Sequence, residues 1–293
     1  MALTDKTVGI IGVGMMGHGI AGNILKGGWS VKFLDHPGNQ PVDDLRTAGA
    51  TSEATCADVA AASDIVILCV TGTPEVEAVL QESGGVLEGL RSNSLVIDCS
   101  TSIPGSTKEN AKLVQGAGGN FLDAAMTRTP KEAEEGKLNL IIGGNRMIFE
   151  GTRPLFESFA DNIVFGGPVG SGHTLKLLHN FVALGFSVVM AEALAAAAKS
   201  GVDMATYLDV LEQGAGRGVI LDRFRPFMEN GDTEAFRFTV ANAHKDLGYY
   251  VQMAEDLAAG HISADAVRAV YESAVGENPS APVPELVRLL QKD

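Results

Sequence analysis

Lys176 stands inside an apolar stretch, flanked by Leu175, Leu177, Leu178 and Phe181, and Asn180 follows it four residues later. On a helix this spacing puts both side chains on one face, one turn apart, with Ser187 further along the same stripe. An ammonium and an amide are unfavourable to bury without partners, so their presence on an apolar helix points to a site. A lysine in apolar surroundings loses its proton readily, which suits general acid/base work at an oxygen. The ordinary alternative for any lysine is a solvated surface charge, and the leucines around this one argue against it. His173 and His179 fall nearer neighbouring faces and read as structural.

A second constellation opens the chain. The apolar run Thr7–Ile11 leads directly into Gly12-Val13-Gly14-Met15-Met16-Gly17, then into a helical stretch, Ile20–Lys26, and a second apolar run, Val31–Leu34, that ends on Asp35. In such a unit Gly12 permits the tight turn, Gly14 lets the backbone approach a pyrophosphate, and Gly17 allows the helix to pack closely on the strand. The new helix aims free N–H groups and its positive end at the phosphates. Asp35 lies 18 residues beyond Gly17, near the spacing of an acid that holds ribose hydroxyls. The glycine pattern alone is weak evidence in a chain with 35 glycines, but strand, loop, helix, strand and acid in order specify a dinucleotide site.

These residues need a frame. Further apolar runs recur at Ile65–Val70, Ser94–Asp98, Asn120–Asp123, Leu138–Ile142 and Asn162–Phe165, with helical stretches such as Glu75–Gln81 and Lys108–Gln115 between them. The alternation predicts an α/β domain, a Rossmann-type doubly wound, mostly parallel sheet with helices on both faces. Ligands of such sheets lie beyond the carboxyl ends of the strands, where Asp35, Val70-Thr71-Gly72, Ser100-Thr101 and the segment from Ala124 to Thr129 are expected. After Phe165 the pattern is helical throughout: His173–Ser200, Leu208–Gly214, Asp222–Met228, Val240–Ala258, Ala264–Ala274 and Pro284–Gln291. The sequence therefore reads as a dinucleotide-binding domain over residues 1–166 and an all-α C-terminal domain over 167–293 that begins with one long interdomain helix. That helix is apolar nearly all round, so other helices or another chain must cover it.

Bulk properties narrow the functional classes. The net charge of −14, from 22 basic and 36 acidic residues, speaks against nucleic acid or an anionic membrane as partner. An anionic substrate must then rely on a local cation. Cys56, Cys69 and Cys99 form no Cys-x-x-Cys pair, and an odd count makes a disulfide framework improbable. The six histidines show no ligand spacing, so no metal site is expected. The first strand starts by residue 7, which leaves no room for a signal peptide, and the long apolar stretch Phe181–Ala198 is interrupted by Glu192. A cytoplasmic location is the expectation.

The residues also carry a resemblance. Gly9-Ile10-Ile11-Gly12-Val13-Gly14-Met15-Met16-Gly17, continuing to Ala21-Gly22-Asn23, is similar to the opening motif of the β-hydroxyacid dehydrogenase family, which includes 3-hydroxyisobutyrate dehydrogenases and tartronate semialdehyde reductases. Asp98-Cys99-Ser100-Thr101-Ser102-Ile103-Pro104 resembles the family's motif beside the nicotinamide, Gly170-x-Gly172-x-x-x-Lys176-x-x-x-Asn180 its catalytic helix, and His244-Lys245-Asp246-Leu247 its late Lys-Asp-Leu segment. The four motifs run in order over nearly the whole chain. The resemblance implies that Lys176 donates a proton to the carbonyl oxygen during reduction and that Asn180 holds the substrate near it. It also implies a substrate contact at Ser100, cofactor contacts at Gly12, Val13, Gly14, Met15, Met16, Gly17, Asp35, Thr101 and Lys245, and Val70-Thr71 flanking the cofactor. A homodimer or homotetramer is implied as well. Members that prefer NADP tend to carry Asn-Arg-Thr after the second strand. Here Asp35-His36-Pro37 stands there, and a carboxylate would repel a 2′-phosphate while accepting from a 2′-hydroxyl, so NAD is favoured over NADP.

Two departures bear on the substrate. Where the family usually reads Asp-Ala-Pro-Val-Ser-Gly-Gly, this chain reads Asp123-Ala124-Ala125-Met126-Thr127-Arg128-Thr129. An arginine there offers a planar fork to a carboxylate, sulfonate or phosphate, and the Arg-Thr pair, with Ala215-Gly216-Arg217-Gly218, resembles the sulfolactaldehyde reductase branch. Thr127, Arg128 and Thr129 are thus expected to bind an acid tail. The plain alternative is that Arg128 pairs with a neighbouring acid such as Glu132 or Glu134. The family's late Gly-x-Gly-x-x-Asp segment is replaced by Gly276-Glu277-Asn278-Pro279-Ser280-Ala281-Pro282. The expected activity is hydride transfer between a nicotinamide and a small anionic hydroxyacid or semialdehyde. A nicotinamide-binding sensor without catalysis, or an imine reductase on the same fold, are the rival readings, and the Lys176–Asn180 pair argues against both.

Overall fold

A computed structural model describes residues 5–291. Its sheet has eight strands: β1 (Thr7–Ile11), β2 (Ser30–Leu34), β3 (Thr51–Glu53), β4 (Ile65–Leu68), β5 (Leu95–Asp98), β6 (Asn120–Thr127), β7 (Leu138–Gly144) and β8 (Ala160–Gly167). They lie in the order β3-β2-β1-β4-β5-β6-β7-β8, parallel throughout except for the antiparallel pair β6–β7. The strand order turns back at β1, with β2 and β3 to one side and β4 onwards to the other, which is the switch point of a doubly wound sheet, as the sequence predicts.

The apolar strands are buried on both faces because the alternate side chains of each enter different cores. Val8, Ile10, Ile67 and Ile97 enter one cluster, with Phe33 and Phe149, while Ile11, Val66, Leu68 and Val96 enter the other. Every residue of β4 and β5 is buried. Full burial of such a side chain stabilises the fold by roughly 1.5–3 kcal/mol. Register aligns the ends of the central strands: Ile11 pairs with Leu68, Leu68 with Asp98, and Asp98 with Asp123. The loops that follow β1, β4 and β5 therefore emerge side by side.

The structure alters several expectations. The segment from Ala124 to Thr127 is strand, not a loop beyond the strand ends. β6 continues past the point where β5 stops because β7 pairs with it, Ala124 opposite Ile142 and Thr127 opposite Asn139. The cofactor-side helix runs over Met15–Lys26, starting before the apolar period visible from Ile20, since Gly17 and Gly19 dilute that period. Strand β3 has no sequence signal, because Thr51-Ser52-Glu53 is short and polar at the sheet edge. The C-terminal stretch is a 3₁₀ turn at Val283–Glu285 followed by a short helix, Leu286–Leu290, in place of one helix from Pro284.

The chain divides into two compact units, one up to Lys176 and one from Leu177. This division lies ten residues beyond the boundary after residue 166 expected from the sequence, so the first turn of the long helix Ser171–Ser200 falls in the first unit. The second unit is helical: Met204–Gln213, Val219–Asn230, Val240–Asp256 and Ile262–Glu277 surround a core containing Leu184, Leu194, Phe224, Leu247 and Tyr271. The long helix contributes Leu184, Val188, Ala191 and Leu194 to that core, while Val182, Phe186 and Val189 on it are exposed.

Candidate active site

The three glycines of the first loop meet three different physical demands. Gly12 has φ +98, and a Cβ on it would lie 2.2 Å from the Cys69 carbonyl oxygen. A Cβ on Gly17 would lie 1.9 Å from the Gly12 oxygen, so the helix can begin here only without a side chain. A Cβ on Gly14 would meet nothing within 4 Å, which leaves an open approach to the backbone. Gly14 is also the N-cap of helix Met15–Lys26 and supplies no capping side chain, so the orphan amides of the first turn are left for an anion. This cradle fits a dinucleotide pyrophosphate. Behind it, Asn39 ties the loop to the second strand: its Oδ1 accepts from Val13 N at 3.3 Å and its Nδ2 donates to Leu34 O at 2.8 Å. Asp35 is exposed at the end of β2, with Arg46 Nη2 3.7 Å from its carboxylate.

The loops after β4 and β5 are joined to each other. Ser100 Oγ accepts from Val70 N at 3.1 Å, and Thr73 Oγ1 accepts from Ile103 N at 2.9 Å. The buried Asp98 carboxylate shapes the second loop from below, accepting from Ser100 N at 2.9 Å and from Ser102 Oγ at 3.2 Å. Ser100 is buried, Thr101 and Val70 are half-buried, and Thr71 is exposed.

A second buried carboxylate holds the helix that bears Lys176. Asp123 accepts from Gly170 N at 2.8 Å and from His173 N at 3.0 Å, two of the N–H groups that open the long helix. No side chain fits around it: a Cβ on Gly143 would lie 2.5 Å from Asp123 Oδ1, and one on Gly172 2.8 Å from Oδ2. His173, fully buried, places Nδ1 2.7 Å from the Thr107 hydroxyl and Nε2 3.8 Å from Asp98 Oδ2. It thus links the β5 loop to the helix that bears Lys176. Lys176, three residues on, is 9% exposed, the degree of burial expected of a lysine with chemical work.

At the end of β6, Thr127 Oγ1 accepts from Asn139 Nδ2 at 3.0 Å. Arg128 follows in the left-handed region at φ +81, a conformation unfavourable for any residue with a Cβ and one that clusters at functional positions. Its guanidinium donates to Lys137 O and sits 3.2 Å from Asp161 Oδ2, so its acid partner is Asp161 and not the Glu132 or Glu134 that the sequence suggests. Thr129 N-caps the helix Pro130–Glu134 in a capping box with Glu132, whose carboxylate accepts from Thr129 N at 2.8 Å and from Thr129 Oγ1 at 2.5 Å. Partial burial raises the Glu132 carboxyl, but these hydrogen bonds outweigh it and hold it below the usual range.

The second unit carries the remaining candidates. Asn180 is 7% exposed, and its Nδ2 donates to Asp246 Oδ2 at 2.6 Å. The other oxygen of Asp246 lies 2.8 Å from Lys245 Nζ, an ion pair. Lys245 Nζ also sits 5.0 Å from the Tyr249 ring centre. Buried Asp246 thus orients one side chain on each of two helices. Asp98, Asp123, His173 and Asp246 were within reach of sequence reasoning as charged or polar residues inside apolar runs, but the bonds from Asp123 to Gly170 and His173, from His173 to Thr107 and from Asp246 to Asn180 span dozens of positions.

Comparison with known proteins fits this geometry. Residues 7–167 match the domain family described as the NAD binding domain of 6-phosphogluconate dehydrogenase, and residues 170–290 match that described as NAD-binding of NADP-dependent 3-hydroxyisobutyrate dehydrogenase. The chain is 33% identical over 257 residues to 2-hydroxy-3-oxopropionate reductase of Escherichia coli, covering 86% of this chain and 85% of that protein. It is 30% identical over 251 residues to 2-(hydroxymethyl)glutarate dehydrogenase of Eubacterium barkeri, covering 85% and 82%. Among solved structures, 3-hydroxyisobutyrate dehydrogenase from Salmonella typhimurium superposes with a TM-score of 0.85 at 26% identity, covering 97% of this chain and 100% of that one.

Proposed function

The chain belongs to the β-hydroxyacid dehydrogenase family and is an NAD(P)-dependent hydroxyacid dehydrogenase; on that footing, we propose that it interconverts a small acid-tailed β-hydroxyacid and its semialdehyde or oxo form, with Lys176 as general acid and base. The observation that carries this reading is the buried Lys176 at the start of a helix gripped by Asp123, with Asn180 one turn further along the same helix. Bound nicotinamide supplies the hydride. Lys176 gives a proton to the carbonyl oxygen in reduction and takes it back in oxidation, and Asn180, its amide fixed by Asp246, holds the substrate at that oxygen. Ser100 and Thr101 line the nicotinamide, and Lys245 contacts the cofactor.

The segment Thr127–Thr129 reads the substrate's acid tail. Arg128, already half-exposed, exchanges Asp161 for a carboxylate or sulfonate on the substrate. NAD is preferred to NADP, because the Asp35 carboxylate repels a 2′-phosphate. The exposed stripe Val182, Phe186 and Val189 supports a homodimer or homotetramer in which a second copy covers the long helix. A cytoplasmic location accords with this chemistry.

The test follows reduced nicotinamide absorbance with NADH or NADPH and the semialdehydes of methylmalonate, tartronate, succinate and a sulfonated analogue. Lys176→Ala is expected to lose roughly 10²–10⁴-fold in kcat while binding NADH as tightly as the parent. Near-parental turnover by that variant refutes the lysine mechanism. Tight NADH binding without turnover of any semialdehyde by the parent moves the weight to a sensor.

A further inference from the structure

Asn23 is a buried amide on the cofactor-side helix, nine residues beyond its glycine cap, and nothing in the chemistry above uses it. Its Nδ2 faces three carbonyls: Gly19 O at 2.8 Å in its own helix, and Ala133 O at 2.8 Å and Glu134 O at 3.1 Å at the far end of the helix Pro130–Glu134. Its Oδ1 faces Lys26 Nζ at 3.5 Å. Acceptors on one side and an ammonium on the other leave the amide one orientation. The two helices meet backbone to backbone, since a Cβ on Gly19 would lie 2.5 Å from the Ala133 carbonyl carbon.

The helix so gripped has only five residues and cannot hold itself, because its terminal carbonyls lack partners within it. It is fixed at both ends by side chains. The capping box of Thr129 and Glu132 locks its start, and the Asn23 amide locks its end. Thr127, Arg128 and Thr129 precede it directly, with Arg128 in the left-handed region where a small rotation swings the guanidinium widely. We propose that Asn23 is a positioning residue that registers the substrate segment against the helix opening at the glycine cradle. The proposal rests on the reading of Thr127–Thr129 as the acid-tail segment.

The experiment uses the full chain, NADH and the most active of the four semialdehydes above. Asn23→Ser, which keeps a polar group but cannot reach Ala133 O or Glu134 O, is expected to raise substrate KM by roughly 10–100-fold through misplacement of the segment. Its kcat and its NADH affinity, read by fluorescence, should stay within about threefold of the parent if only this segment moves. Amide exchange of residues 131–134 should accelerate in the free protein. Gly136→Ala pushes on the same amide, its Cβ 3.1 Å from Asn23 Oδ1, and also strains the loop behind the helix at φ +71, so it gives the same KM signature should the serine variant fail to fold. In an Arg128→Ala background the KM effect of Asn23→Ser should vanish, because both changes act through one contact. A lowered melting point with substrate KM unchanged, or additive effects in the double variant, overturns the proposal. Unchanged KM in Arg128→Ala alone removes the segment from the substrate, and the role of Asn23 with it.

Discussion

Replacing Asp123 by Asn tests what holds Lys176, the proposed general acid and base, in place. The parent carboxylate is fully buried and accepts two backbone N–H groups, from Gly170 and His173. Asparagine has the same shape but only one accepting oxygen, so its NH₂ must face one of the two amides. One charge-assisted bond is lost, the other becomes neutral, and a buried N–H is left opposed by another donor. With charged hydrogen bonds contributing about 1.5–3 kcal/mol each and an unsatisfied buried group costing about 1–3, the expected destabilisation is about 3–4 kcal/mol. For a unit of this size that lowers Tm by roughly 6–16 °C. Little room exists to relieve it, since even a Cβ built on Gly143 or Gly172 would lie 2.5 or 2.8 Å from the carboxylate. Lys176 rides one turn beyond these bonds, so kcat should fall by about 10–100-fold from misplacement. NADH affinity should change much less, since the glycine cradle hangs on β1. The assays are differential scanning fluorimetry and NADH oxidation, with Lys176→Ala as the control that loses rate and keeps Tm. An Asn variant that melts within about 1 °C of the parent and turns over normally refutes the idea that Asp123 carries the helix start.

Three further outcomes are expected. Asp35→Asn removes the carboxylate proposed to repel a 2′-phosphate and frees Arg46, whose Nη2 lies 3.7 Å from Asp35 Oδ2, so the NADPH-to-NADH ratio of kcat/KM should rise about tenfold, a modest value because the site is exposed; an unmoved ratio places cofactor choice elsewhere. The folded Glu132 carboxyl lies below its ordinary value of 4.5, so its capping box adds stability above that value and loses it as pH falls through and below it. Melting curves of the parent and Glu132→Gln should therefore converge on acidification, and a constant difference down to about pH 3.5 contradicts the linkage. Burial, with help from the Asp98 charge, pushes the Cys69 thiol up to about 12, and burial raises Cys99 and Cys56 as well. Ellman's reagent at neutral pH should find Cys69 and Cys99 unreactive until the protein is denatured.

The glycine cradle, the apolar strands and the long helix were legible in the sequence because each rests on local pattern. Gly12, Gly14 and Gly17 answer constraints within a dozen residues, and the strands announce themselves as apolar runs that must be covered on both faces. The reach of β6 was not legible, since its last four residues are strand only by virtue of an antiparallel partner that begins eleven positions beyond Thr127. Polar runs such as Thr51–Glu53 gave no sign either, because an edge strand needs no apolar face.

The candidate site divides along the same line. Lys176 and Asn180 could be found because four residues on one helix face are a local relation. What holds them could not: Asp123 reaches Gly170 and His173 across 47 and 50 positions, and Asn180 meets Asp246 across 66. Sequence reasoning identified Arg128 as a cation in want of an anion, and the structure gives it one in Asp161, 33 positions away. That pairing sharpens the functional argument. A guanidinium on a left-handed residue, held by one exposed carboxylate and a main-chain carbonyl, is a cation whose present partner gains little in stability from water-screened contact. Under the proposed function, a substrate anion that binds the same fork bidentately competes with this weak surface partner for Arg128. If Asp161→Asn left substrate KM higher than in the parent, Asp161 would be orienting Arg128; a lower KM is the outcome that exchange requires.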